Sequence, residues 1–397
     1  MFEHLDTAPP DAILGLNVAF NNDPNPEKIN LGVGVYRDAT GKTPVLACVK
    51  AAEQRLVDQE GSKGYLAIDG LPQFGQLTRE LLFGVDHEIV TSGRAVTLQT
   101  PGGTGALRVA ADFLRKKLPA ATIWCSKPTW GNHPKVFEAA DCQLENYEYI
   151  DAAGVGLNFE AMLASLQEIP SGDVVLLHGC CHNPTGIDPT PEQWKEIGDV
   201  VRQRALLPLI DLAYQGFGES LQADVQGLHE ICRDGTDAIV CSSFSKNFGL
   251  YSERVGALTL IADKPAAAAA ALSHAKVCVR TNYSNPPLHG AAIVAVILAD
   301  AELRTQWEQE LTIMRNRINA MRTLFVETMR DKSPGHDFSF IARQRGMFSF
   351  SGLSPLQVDE LRSKHSVYVV TAGGRINVAG VTPDNVERLC AAITDVL

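Results

Sequence analysis

Five short runs of almost uninterrupted apolar residues set the tightest limit on how this chain can fold. They are "ATIWCS" (121–126), "DVVLLHG" (173–179), "LLPLIDLAY" (206–214), "AIVCSSF" (238–244) and "VGALTLIA" (255–262). A strand without polar alternation must be covered on both faces, and helices laid over both sides of a sheet do this. Helical stretches separate several of the runs. One of them, "TPEQWKEIGDVVRQRA" (190–205), opens with a threonine suited to capping and a proline suited to the first turn. The alternation predicts an α/β fold with a mainly parallel central sheet and helices on both faces. Ligand chemistry in such a fold sits at the carboxyl ends of the strands.

From Ala301 to about Arg330 the apolar positions Leu303, Trp307, Leu311, Met314, Ile318, Met321, Phe325 and Met329 recur at steps of three and four. The spacing predicts one long helix that bridges two domains. Beyond it, "DFSFIARQRGMFSFSGL" and "VYVVTAGGRINVAG" read as strands of a smaller α+β unit, which "EKINLGVGVYRD" near the N-terminus joins. "PAAAAAAL" (265–272) reads as ordinary helix. The division expected is an N-terminal arm with part of the small domain over 1–44, a large domain over 45–311, and a small C-terminal domain over 312–397.

A formal charge of −11 over 397 residues, with no basic run, argues against nucleic acid or an anionic membrane as the main partner. No stretch reaches the roughly 18 consecutive apolar residues of a spanning helix. The acidic start "MFEHLDTAPPD" lacks the features of a signal peptide. Nine cysteines without a CxxC fit reduced buried thiols better than a disulfide framework. A cytoplasmic protein is expected, and no metal-ligand spacing is found.

Lys246, in "SSFSKNFGLYSERVG" (242–256), follows a predicted strand end and stands among small hydroxyl residues. Two chemistries fit it. Ser243 and Lys246 satisfy S-x-x-K, the motif of acylating serines, but neither an S-D-N nor a K-T-G accompanies them. Alternatively, Lys246 holds a carbonyl cofactor as a Schiff base, with the nearby hydroxyls and Arg254 binding a phosphate. The amine must then be neutral, which burial and adjacent positive charge would favour. A cofactor with a pyridine ring needs a carboxylate at its nitrogen. Asp211, ending its own apolar run, is placed for that, or else caps a loop. Tyr214 and Asn183, the latter in the turn "GCCHNPTGIDPT", are placed to reach a ring oxygen; structural roles are open to both. In "TPGGTGALR", Gly102, Gly103 and Thr104 at a helix start suit a single phosphate.

Together, "NLGVGVYRD", "GYLAIDGLPQF", "TPGGTGALR", "GCCHNPTGIDPT", "DLAYQGF", "SKNFGLYSERVG", "NYSNPP" and "GMFSFSGL" resemble, in order and spacing, the aspartate/aromatic aminotransferase family of fold type I pyridoxal-phosphate enzymes. The likeness covers nearly the whole chain. It implies pyridoxal 5'-phosphate as cofactor, with Lys246 as Schiff-base lysine and proton shuttle. It implies Asp211 at the pyridinium, Tyr214 and Asn183 at the ring oxygen, and Trp130 stacked on the ring. Gly103, Thr104, Ser243 and Arg254 match the phosphate cup, and Tyr65 matches a tyrosine lent to the neighbouring subunit's site. Arg375 matches the clamp on the substrate's α-carboxylate, with Gly34 beside it. Arg280 matches an arginine lent across a homodimer to a second carboxylate. Amino acids and 2-oxo acids are the implied partners. Val35, Arg37, Thr43 and Asn285 resemble the aspartate branch, whereas Gly64 and Ala372-Gly373 depart from it. Aspartate transamination is expected. Aromatic amino acid transamination is the runner-up, followed by the serine acyl-enzyme and a non-enzymatic amino acid binder.

Overall fold

The computed structural model of the chain describes residues 2–7 and 12–397. Residues 1 and 8–11, part of the stretch read as an N-terminal arm, lie outside the described residues. Seven strands lie side by side in the order Ala95–Pro101, Val255–Ile261, Ala238–Ser243, Leu207–Leu212, Val174–His178, Thr122–Lys127 and Gln143–Glu148. Only Val255–Ile261 runs against the rest. All five apolar runs of the sequence are strands, and each is covered on both faces. Along Val174–His178, for example, Val175 and Leu177 belong to one apolar cluster while Val174 and Leu176 belong to another across the sheet. This is the period-two alternation that a pleated strand imposes.

The register brings the chemistry-bearing strand ends to one edge. His178 pairs with Asp211 and Asp211 with Cys241, while Ser243 meets Gly256 and Pro101 meets Val255. Helix Gly102–Lys117 therefore starts beside Ser243, with Lys246 a few residues beyond. Helix Pro191–Gln203 is held by a capping box in which Thr190 Oγ1 accepts from Gln193 N and Gln193 Oε1 accepts from Thr190 N.

The long helix is present as Ala301–Lys332, its first turn capped by Asp300. Leu303, Trp307, Leu311, Met314 and Ile318 pack in the cluster under the sheet, whereas Phe325 and Met329 pack in a third cluster. That third core also gathers Ile29, Leu31, Val367, Ile376, Leu389 and Ile393. Ile29–Asn30 pairs with Val367–Tyr368, so the N-terminal segment does join the C-terminal unit. The two C-terminal runs are less regular than strands. The strands there are the short Phe348–Phe350, Val367–Tyr368 and Arg375–Asn377, with one isolated Val370–Arg375 bridge, because 3-10 turns at Ser339–Arg343 and Ala372–Gly374 interrupt the ladders. "PAAAAAAL" opens helix Pro265–Asn282.

Candidate active site

A pocket of about 240 Å³ opens at the carboxyl edge of the sheet. Eleven of the thirteen site residues that the resemblance implies line it: Gly34, Gly103, Thr104, Trp130, Asn183, Asp211, Tyr214, Ser243, Lys246, Arg254 and Arg375. The other two lie elsewhere. Tyr65 is 96% exposed, and Arg280 is exposed with its Nη1 donating to Ser284 Oγ.

Lys246 Nζ sits 4.8 Å from the centre of the Tyr214 ring. Burial lowers its amine to about 8; Asp211 opposes that shift and Arg254 adds to it. The chain thus supplies what a nucleophilic or basic lysine requires, an amine partly neutral near physiological pH. Burial also pushes the Asp211 carboxyl up. The His133 hydrogen bond and the nearby Lys246 amine outweigh this and hold it below the usual carboxylate value. Burial raises the Tyr214 phenol, which keeps its proton and remains a donor.

Behind Asp211 runs a hydrogen-bonded chain that sequence reasoning missed. His133 Nε2 meets Asp211 Oδ2 at 2.9 Å, Thr129 Oγ1 meets His133 Nδ1 at 2.8 Å, and Thr129 Oγ1 meets His178 Nε2 at 3.1 Å. His182 stacks on Tyr149 at 4.0 Å and lies 4.2 Å from His178. Burial holds His178 down to about 3 and His182 far below the usual imidazole value, so both are neutral. Thr129 and His133 come from one segment, His178 and His182 from another and Asp211 from a third, so only the fold reveals the relay. Ser245, Tyr251 and Phe348 are further pocket residues that the sequence did not mark.

At one end of the pocket an anion cup forms. Gly102 begins helix Gly102–Lys117 with φ of 75°, and a Cβ there would lie 2.4 Å from Arg254 Nη2. Only a bare backbone lets the guanidinium reach the positive helix end. Arg254 Nη1 donates to Ser245 Oγ and to the Tyr251 carbonyl, and among the described residues no carboxylate pairs with it.

At the other end Arg375 is buried against the Phe348 ring, 4.0 Å away, and burial lowers its guanidinium to about 10. Its Nη1 donates to Asn183 Oδ1 and its Nη2 to the Gly32 carbonyl, while Nε is buried without a partner. A buried guanidinium with an orphaned donor is prepared for a carboxylate. A Cβ on Gly34 would come 2.7 Å from Phe348 Cζ, so the wall beside Arg375 must be bare backbone.

The cup, the amine, the ionised carboxylate and the buried Arg375 fit a phosphate-bearing carbonyl cofactor with a basic ring nitrogen, and a substrate bearing a carboxylate. Residues 26–393 match the family model described as aminotransferase class I and II. An aspartate aminotransferase of Salmonella typhi is 55% identical over 397 residues, with 100% of both chains covered. An aromatic-amino-acid aminotransferase of Pseudomonas aeruginosa is 47% identical over 395 residues, covering 100% of this chain and 98% of the relative. The crystal structure of an aromatic-amino-acid aminotransferase from Burkholderia pseudomallei, covalently bound to pyridoxal phosphate, superposes with a TM-score of 0.97 at 48% identity. It covers 100% of this chain and 99% of that one.

Proposed function

The chain belongs to the class I and II aminotransferases, and from that premise we propose that it exchanges an amino group between L-aspartate and 2-oxoglutarate, giving oxaloacetate and L-glutamate. One observation carries this reading. Lys246, with its lowered amine, shares a pocket with an ionised Asp211 and with a buried Arg375 whose Nε lacks a partner.

When bound, pyridoxal phosphate supplies an electron-poor ring that draws charge away from the substrate's Cα. Arg254, Ser243, Ser245, Gly103 and Thr104 hold its phosphate, and Trp130 covers its ring. Asp211, ionised, would accept a hydrogen bond from the protonated ring nitrogen and so hold the proton on the ring. Tyr214 and Asn183 donate to the ring oxygen. Lys246 Nζ is the point of attachment and the base that takes the Cα proton and returns it. A fall from the usual 10.5 to about 8 raises the neutral fraction near pH 7 by about 300-fold. Arg375 grips the α-carboxylate beside Gly34.

Reduction of the cofactor-loaded protein with borohydride, followed by peptide mapping, tests the reading. The label is expected on Lys246 alone, and a label elsewhere would refute it. The serine acyl-enzyme and the non-enzymatic binder give way to family membership. Aromatic transamination stays the second reading because the Pseudomonas aeruginosa relative is 47% identical. Comparable turnover of phenylalanine and aspartate would favour it.

The site is completed, on this reading, in a homodimer. The exposure of Tyr65 supports this, as does a groove of about 480 Å³ lined in part by Lys63, Tyr65, Asn285 and His289. Residues 45–311 carry the cofactor, while 312–397 with part of 1–44 form the small domain, a division supported by the separate third core. A cytoplasmic location is supported by nine free cysteines, and among the described residues no helix is long and apolar enough to cross a membrane.

A further inference from the structure

A groove of about 450 Å³, sharing no lining residue with the cofactor pocket, is lined in part by Cys180, Asp188, Glu219, Asp224 and Arg345. Cys180 lies at its wall with Cys181 next to it in the chain, both as free buried thiols. Their Sγ atoms and an Asp224 carboxylate oxygen all lie within 4.8 Å of one another. Asp224 Oδ2 accepts from Gly216 N at 2.8 Å and from Gly218 N at 2.9 Å, but Oδ1 accepts only from Glu219 N at 2.8 Å. Oδ1 therefore keeps capacity for another partner.

Burial and the nearby carboxylates of Asp188 and Asp224 keep both thiols protonated until a cation binds, and one buried side-chain cation offsets this at Cys181. Arg322 is 2% exposed and donates to the Gly346 carbonyl, Asn319 Oδ1 and Ser349 Oγ, with no carboxylate in ion-pair range among the described residues. Its charge reaches Cys181. A tetrahedral zinc-group ion with metal–sulfur bonds of about 2.3 Å holds two sulfurs about 3.8 Å apart, a span that the cluster already brackets.

We propose that Cys180, Cys181 and Asp224 form a binding site for one thiophilic divalent cation, separate from the transamination machinery. Two sulfur–metal bonds replace two S–H bonds, both protons leave to water, and no electrons are transferred. Asp224 Oδ1 is the third ligand, and water from the groove completes the tetrahedron. Occupation also reaches the substrate site. Asp188 fixes the backbone amides of Cys181 and His182, and Asn183 Oδ1 accepts from Arg375, so a displaced Cys181 shifts the loop that supports the clamp.

The test is titration of the cofactor-loaded protein with cadmium ion alone. A sulfur-to-cadmium ultraviolet band is expected to saturate at one ion per chain with two protons released. Cys180→Ser and Cys181→Ser each weaken binding by more than about 100-fold and Asp224→Asn by about 10-fold. Cys142→Ser, which alters a half-buried thiol elsewhere, leaves it unchanged. A band that survives both serine variants overturns the site. If those variants do not fold, X-ray absorption of the unaltered protein decides: two sulfur ligands with oxygen support the site, and oxygen and nitrogen alone overturn it. Turnover falls along the same binding curve and returns with a chelator, whereas full activity at saturation would overturn the coupling to Asn183.

Discussion

At the scale of single residues, the site works by withholding solvation from selected charges. Burial brings Lys246 to about 8, so on the proposed reading cofactor capture depends on how much of its amine is neutral. Uptake of pyridoxal phosphate by the cofactor-free protein is expected to accelerate about tenfold per pH unit below 8 and to level off above it. Stopped-flow absorbance checks this, and a midpoint near 10 would show that the lysine is solvated. Lys246→Ala removes the base and is expected to abolish turnover. Arg375 presents a planar donor set that is already half committed to Asn183 and Gly32. Arg375→Lys keeps the charge but loses the fork, and one charge-assisted bond is worth about 1.5–3 kcal/mol. The expected loss in kcat/KM is about 10- to 100-fold, equal for aspartate and phenylalanine because both carry the α-carboxylate. A loss confined to aspartate would misplace this arginine.

At the scale of elements, the strand Val174–His178 and its following turn bury imidazoles whose protons the fold refuses. His178 and His182 lie well below their unfolded value of about 6.5, so the unfolded chain binds more protons once pH drops under that value. Their contribution is intact above pH 6.5 and is lost below it. Asp188 acts in the other direction: burial raises it to about 6, so the folded state gains a proton as pH falls through 6. The imidazole loss therefore begins first, from pH 6.5, and Asp188 together with Asp224, whose carboxyl burial also raises, offsets part of it below pH 6, leaving a downward slope as pH falls. Urea unfolding of cofactor-free protein at fixed concentration is expected to trace that slope, and a flat profile from pH 7 to 5 would refute it. The same element shows what the sequence could convey. Its apolar run announced a strand because burial on both faces leaves a compositional trace. Ala95–Pro101 left none: Thr97 and Gln99 are buried but satisfied by Thr259 and the Pro287 carbonyl. The polar edge strand Gln143–Glu148, largely exposed, left none either. Strand-end residues such as Asp211 and Lys246 were legible because each closes a run. The Asp211–His133–Thr129–His178 chain was not, because its members meet only across three separate segments.

At the scale of the whole molecule, the single chain gathers Lys246, Asp211, Arg254 and Arg375 in one pocket but leaves Arg280 outside it. On the proposed reading, Arg280 of one subunit serves the other's site, and that geometry has a numerical consequence. A Lys246→Ala subunit lacks the base but still offers its Arg280, whereas an Arg280→Ala subunit keeps the base and lacks the distal clamp. Each homodimer is therefore defective toward aspartate. When the two are unfolded together and reassembled in equal amounts, half of the dimers are hybrids. Each hybrid has one doubly impaired site and one site that draws Lys246 from one subunit and Arg280 from the other. Aspartate turnover is then expected to rise to about a quarter of the unaltered protein's, since half of the dimers have one whole site of two. Phenylalanine, which has no second carboxylate, gains nothing beyond the average of the two parents. If Arg280 instead served its own subunit, the Arg280 and Lys246 defects would fall on separate sites and mixing would restore no aspartate activity. Recovery confined to the dicarboxylate therefore decides both the shared site and the substrate class.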